Sequence, residues 1–141
     1  MAKGFVLNIL FANSTPSVII AGPPSSGKTT ILRDLIRNIS NGIEDIGFKG
    51  VNVGLADERS EIAAMYKGIP QNDVGLRTDI LDNVPKAIGM KMLIRSMNPK
   101  IIVADEIGKE EDIDAINYAV CSGVKGIFTA HGSNMEDIIK N

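Results

Sequence analysis

One cysteine, no tryptophan and only six aromatic residues among 141 leave several protein classes without their usual materials. Cys121 has no partner for an internal disulfide and offers no zinc framework, so its expected role is that of a small buried hydrophobe. No apolar stretch approaches the roughly 18 residues that a membrane-spanning helix needs. Neither sign of charge dominates: 15 Lys and Arg stand against 17 Asp and Glu, a formal net charge of −2. That balance argues against a broad electrostatic footprint for nucleic acid, and no nucleic-acid partner is expected. Internal repeats, low-complexity tracts and linkers are absent. Lys3 followed by Phe5–Ala12 faintly imitates a secretory signal, but Asn8 interrupts a short run, so the expected compartment is the cytoplasm.

What the chain does have is β-branched and apolar. Isoleucine occurs 21 times and valine 9 times, and 44% of residues are hydrophobic, which excludes a disordered or collagen-like chain. Such residues suit strands buried on both faces of a parallel sheet. The length fits one domain, residues 1–141.

Apolar runs alternate with helical patterns along the chain. Residues 5–12 read as a strand, as does Ser17–Ala21, which ends in Gly22-Pro23-Pro24. Ile31, Leu32, Leu35, Ile36 and Ile39 fall at i, i+3, i+4 spacing, predicting a core-facing helix over 29–40 stopped by Asn41-Gly42. A second strand is expected at 51–56. Residues 57–85 are polar and rich in Gly, Asp and Pro, and read as mostly loop with a short helix at 60–66. Residues 87–97 predict a helix with Met90, Leu93, Ile94 and Met97 on one face, a core stripe rather than a cofactor box. Ile101–Ala104 is a third strand. Residues 110–122 form an acid-started helix closed by Gly123, and 124–130 a fourth strand. The run Lys109–Asp114 reads as a solvated helix start. Strands and helices alternating in this way imply an α/β fold with a parallel sheet covered by helices on both faces.

Gly22-Pro23-Pro24-Ser25-Ser26-Gly27-Lys28-Thr29 matches G-x-x-x-x-G-K-[ST], the Walker A pattern, at every fixed position, with Thr30 next in the same turn. Glycines at these points let backbone N–H groups turn toward phosphate oxygens, and a helix N-terminus stands behind them. In that arrangement Lys28 reaches the β and γ phosphates and the Thr29 hydroxyl ligates Mg²⁺, so ATP with Mg²⁺ is the expected ligand. Asp105 and Glu106 end the third strand. A carboxylate after four apolar strand residues is costly unless it meets a cation or hydrogen-bond donors. Asp105 would therefore share the Mg²⁺ with Thr29, and Glu106 would polarise an attacking water. Thr129 and His131 end the fourth strand, at the edge where α/β sheets bind ligands. Asp57-Glu58-Arg59-Ser60-Glu61 follows the second strand at the same edge, a candidate polar wall of the site. Arg77 and Arg95 are candidate charge stabilisers, and with Arg59 they come from the loop-rich half, which is expected to face a neighbouring subunit's nucleotide.

Beyond the Walker A loop, "GLADERSEIA", "GIPQNDVGLRTDILD", "KAIGMKMLIRSMNPKIIVADEIG" and "TAHG" resemble the stage III sporulation protein AA family of endospore-forming bacteria, over residues 17–133. More distantly, "LIRSMNPKIIVADEIG" and "TAHGSN" resemble the type II/IV secretion ATPases. The resemblance implies a RecA-like P-loop ATPase that assembles as a homo-oligomeric ring and energises a secretion-like channel complex. It also implies a place at the inner face of a membrane. By that likeness Asp57, Glu58 and Arg59 sit at the acidic box, Glu106 at the catalytic glutamate and His131 at the histidine box. Family members are roughly twice as long, so the resemblance implies a truncated member. Two other readings compete with the ATPase: a nucleotide-binding module without turnover, and a small P-loop kinase. The glutamate directly after Asp105 favours attack by water over transfer to an acceptor.

Overall fold

The computed structural model describes residues 17–23 and 25–131; the strand expected at 5–12 lies outside them. In chain order the elements are β1 (Ser17–Gly22), α1 (Lys28–Asn41), a 3₁₀ turn (Glu44–Ile46), β2 (Val53–Asp57), β3 (Met65–Tyr66), β4 (Ile69–Pro70) and β5 (Thr78–Asp82). Then follow α2 (Lys86–Met97), β6 (Ile101–Ala104), α3 (Glu110–Cys121) and β7 (Lys125–His131). Five strands form one sheet in the order β1-β7-β6-β2-β5, every neighbouring pair parallel.

Alternation along each strand divides the core into two layers. Ile101 and Val103 of β6 face one side with Val53, Leu55 and Ile127, where Leu32, Leu35, Ile36 and Ile39 of α1 cover them. Ile102 and Ala104 face the other side with Ala56, Phe128 and Ala130, under Met90, Leu93 and Ile94 of α2 and Ala115 and Ala119 of α3. Helices thus cover both faces, and β2 and β6 are buried along their whole length, as is β7 between its two end residues. Because all five strands run the same way, their C-terminal ends share one edge. The Walker A loop, Asp57, Asp105 and His131 are all placed there.

Several expectations change on folding. No helix forms at 60–66. The Asp57 carboxylate accepts the N–H groups of Glu61 (3.2 Å), Ile62 (3.3 Å) and Ala63 (2.9 Å). Ser60 and Ala64 turn left-handed, at φ 56° and 52°, which breaks any helix between them. The segment read as loop also contains a hairpin, β3–β4, turned by Lys67 and Gly68 at φ 50° and 79°, and the edge strand β5. Positive φ at both turn residues matches the twist of a two-residue hairpin. Met97 is half exposed rather than part of the core stripe. Cys121 is exposed as well, because it lies about 200° around α3 from the buried Ala119. Asp112 is buried rather than solvated, since its carboxylate accepts the Gly108 and Lys109 N–H groups at 3.0 Å each and so starts α3.

Candidate functional site

The Walker A loop leaves β1 and closes onto the first turn of α1. Gly27 lies at φ 87°, where a side chain would be strained. A Cβ on Gly22 would come within 2.9 Å of the Ser26 Oγ. Both glycines therefore keep a tight concave turn open. α1 begins with no side-chain cap and no acidic residue in its first turn, so its leading N–H groups face the cleft unneutralised. That cleft, of about 240 Å³, is lined by Ser25–Thr30. Lys28 is only 8% exposed, and its Nζ donates to the carbonyl oxygens of Gly22 (2.7 Å) and Pro23 (2.8 Å). A buried ammonium held, among the described residues, by carbonyls, beside uncapped amides, is chemistry that suits an anion. Pro24 lies outside the described residues.

A hydrogen-bonded chain joins this loop to two strand ends. The Thr29 hydroxyl donates to one oxygen of Asp105 at 3.4 Å. The Thr129 hydroxyl, fully buried, donates to the other Asp105 oxygen and accepts the Glu106 N–H at 2.8 Å. The Ile107 N–H then bonds the Thr129 carbonyl at 2.9 Å, tying the chain after Glu106 back to β7 one residue out of the β6–β7 register. Glu106 adopts φ 51°, a left-handed conformation that turns its carboxylate away from the strand. His131 presents Nε2 3.8 Å from Glu106, and its buried Nδ1 has no hydrogen-bond partner among the described residues. Thr29, Asp105, Glu106, Thr129 and His131 are thereby brought together. No group of three or more His, Cys, Asp or Glu among the described residues is placed to hold a metal alone. Thr29 and Asp105, in contact at 3.4 Å, are the residues that would hold Mg²⁺.

The acidic segment after β2 divides its roles. Asp57, 1% exposed and satisfied by three amides, clamps the turn, and with Glu58, Arg59 and Glu61 it lines the crevice that also holds Asp105 and Glu106. Glu58 pairs with Lys86 at 2.8 Å, and the hydrogen bond from that ammonium holds its carboxyl below the ordinary 4.5. Lys86 also donates to the Glu106 carbonyl at 3.1 Å. Arg59 meets the Glu106 carboxylate at 3.1 Å. Lys86 escaped the sequence reading; its one signal is a cation at the start of a helix, where the dipole favours an acid.

Arg77 and Arg95 are not brought to this edge. Arg77 precedes β5, and its guanidinium donates to the Ser40 carbonyl at 3.1 Å, at the N-terminal ends of the strands. Arg95, in the last turn of α2, stacks over Tyr118 with 6.0 Å to the ring centroid. Among the described residues no helix is long and apolar enough to cross a membrane.

An open parallel sheet with a phosphate-type loop at β1 and acids at the end of β6 is the α/β fold of the P-loop secretion and pilus ATPases. The pilus retraction motor PilT, solved with ADP, aligns at a TM-score of 0.70 with 15% identity, over 98% of this chain and 38% of that one. The ATPase DotB of Legionella pneumophila aligns at 0.62 with 18% identity, over 93% and 35%. The chain belongs to the family "Sporulation stage III, protein AA", whose model matches residues 1–141. Stage III sporulation protein AA of Bacillus subtilis (strain 168) is 47% identical over 135 residues. That alignment takes in 96% of this chain and 43% of the relative, so the chain spans less than half of the relative's length.

Proposed function

We propose that this domain binds ATP with Mg²⁺ and hydrolyses it by in-line attack of water. The observation that carries the reading is the contact from Thr29 through Asp105 to Thr129 and Glu106, which ties the loop to the acids of β6. In this scheme the amides of residues 25–30 and the Lys28 ammonium hold the phosphates. Thr29 and Asp105 hold Mg²⁺, which when bound neutralises charge on the β and γ phosphates. The Glu106 carboxylate orients a water and takes its proton as the oxygen bonds to the γ-phosphorus. The bond from that phosphorus to the bridging oxygen then breaks, and ADP leaves with the electron pair. His131 stands 3.8 Å from one oxygen of the Glu106 carboxylate, and Arg59 meets the other.

The family supports a wider role: sporulation-associated energising of a secretion-like channel complex by a homo-oligomeric ring, at the inner face of a membrane. Within such a ring, Arg77 and Arg95 would serve a neighbour's nucleotide, since neither reaches its own. The binding reading is tested with Lys28→Ala and calorimetric titration of ATP–Mg²⁺. Loss of a charge-assisted hydrogen bond of about 1.5–3 kcal/mol lowers affinity about ten- to a hundredfold. Unchanged affinity in a folded variant removes the phosphate cradle. Release of free phosphate in the absence of any acceptor separates an ATPase from a kinase and from a module that only binds.

A further inference from the structure

Among the described residues four cations, Lys28, Lys86, Arg59 and Lys109, lie at this edge; the first two are already committed, and Lys109 lines the outer cleft with Glu58 and Glu106 but not the crevice that holds Asp105. Lys28 belongs to the loop. Lys86 is nearly enclosed and divides its donors between Glu58 at 2.8 Å and the Glu106 carbonyl at 3.1 Å. Arg59 differs. Its side chain is 66% exposed, and its partner among the described residues is a single oxygen of Glu106 at 3.1 Å. A guanidinium carries five N–H donors, so most of its bonding capacity is free. An exposed pair of this kind is weak and readily exchanged.

The base of this arginine is held firmly while its tip is not. The Ser60 N–H closes a turn onto the Asp57 carbonyl at 3.0 Å, and the buried Asp57 carboxylate fixes the next three amides. Arg59 is therefore presented from a clamped turn at the C-terminal edge of the sheet. One crevice is lined by Arg59 together with Asp105 and Glu106, so the guanidinium shares the space into which the Mg²⁺ and water residues face. Arg77 and Arg95 are held at the other edge.

We propose that Arg59 is the γ-phosphate-binding arginine of this site, supplied by the same chain and parked on Glu106 until a nucleoside triphosphate arrives. This rests on the ATP reading above and extends it. Transfer of the guanidinium from Glu106 to a γ-phosphate oxygen does two things together. It adds a charge-assisted contact that a diphosphate cannot make, and it frees the Glu106 carboxylate to accept a proton from water. Binding of the triphosphate would then itself prepare the base.

The test compares wild type, Arg59→Ala, Arg59→Lys and Lys28→Ala by calorimetry, with Mg²⁺ and either ADP or a non-hydrolysable ATP analogue. Arg59→Ala is expected to weaken the ATP analogue at least about tenfold while ADP stays within about twofold, and Arg59→Lys to recover part of the loss. Turnover falls further, since an arginine on the transferring phosphate contributes about 10³–10⁵ in rate. Lys28→Ala weakens both nucleotides. If wild type binds both and Arg59→Ala changes them equally or not at all, Arg59 is not a γ-phosphate ligand, and the ATP reading stands without it. If wild type binds neither, the ATP reading fails and this inference falls with it.

Discussion

The ammonium of Lys86 lies 2.8 Å from the carboxylate of Glu58 and couples the start of α2 to the turn after β2. With its second bond, to the Glu106 carbonyl, it also steadies the left-handed residue that carries the proposed base. The hydrogen bond from Lys86 lowers the Glu58 carboxyl below 4.5. A carboxyl whose folded pKa is depressed stabilises the fold above its unfolded value, and the gain is lost as pH falls through the folded value. Lys86→Met is therefore expected to return the Glu58 titration toward 4.5 or above, read by carboxyl-carbon NMR, and to flatten the acid dependence of unfolding below that pH. An unmoved Glu58 titration would show that the pair does not persist in solution.

Glu106→Gln keeps size and polarity but removes the proton acceptor. ATP hydrolysis is expected to fall by about 10²–10⁴-fold, the usual range for a general base. Phosphate release at the wild-type rate would dismiss Glu106 as the base. Glu58 would be a poor replacement, since Lys86 already occupies its carboxylate.

Thr129→Val retains shape and deletes one hydroxyl. The Glu106 N–H and one Asp105 oxygen then lose their partner in a buried place, at a cost of about 1–3 kcal/mol. Urea unfolding should show that loss, and Thr129→Ser should restore most of it. Equal stability of the valine variant would mean that water or another group takes over both bonds.

Arg77→Ala and Arg95→Ala are expected to leave the ATP affinity of a single chain within about twofold, because neither side chain is near the loop. Mixing the doubly substituted chain with Glu106→Gln measures their use between subunits. Turnover recovered only in the mixture places them at a neighbour's nucleotide, and a fully active double variant excludes them from the reaction.

Gly126→Ala tests the layer beneath the site. A Cβ there would lie 2.4 Å from the ring of the fully buried Phe128. Overpacking of this kind typically costs about 1–3 kcal/mol, visible as a lower urea midpoint with an unchanged slope. An unshifted midpoint would mean that the Phe128 ring has room to turn.

How much of this was legible in the chain varies with the length of the signal. α1 and α2 are legible within a residue or two because their apolar spacing repeats over about three turns, and α3 because acidic residues start it and Gly123 closes it. β6 was read to the residue because four buried apolar positions meet a charged one. The hairpin β3–β4 was missed: its turn is Lys67-Gly68, and the lysine at φ 50° carries none of the usual turn preference. β5 was missed because Thr78, Asp79 and Asp82 break its apolar run, which an edge strand paired only with β2 tolerates.

The sequence by itself determined the α/β alternation, the phosphate-type loop at Gly22–Thr29, and the placement of Asp105, Glu106 and His131 at strand ends. All of these are local patterns, fixed by side-chain period and turn chemistry over a few residues. Only the tertiary structure decided the strand order and which charged residues share the edge where the strands end. β7 lies between β1 and β6, and this seats Thr129 beside Asp105. The β2–β6 pairing brings the turn carrying Arg59 to Glu106, while Arg77 and Arg95 are carried to the opposite edge. The physical reason is that parallel pairing joins segments distant along the chain. The proximity of Arg59 to Glu106 therefore follows from how the whole sheet is buried, and no short stretch of sequence encodes it.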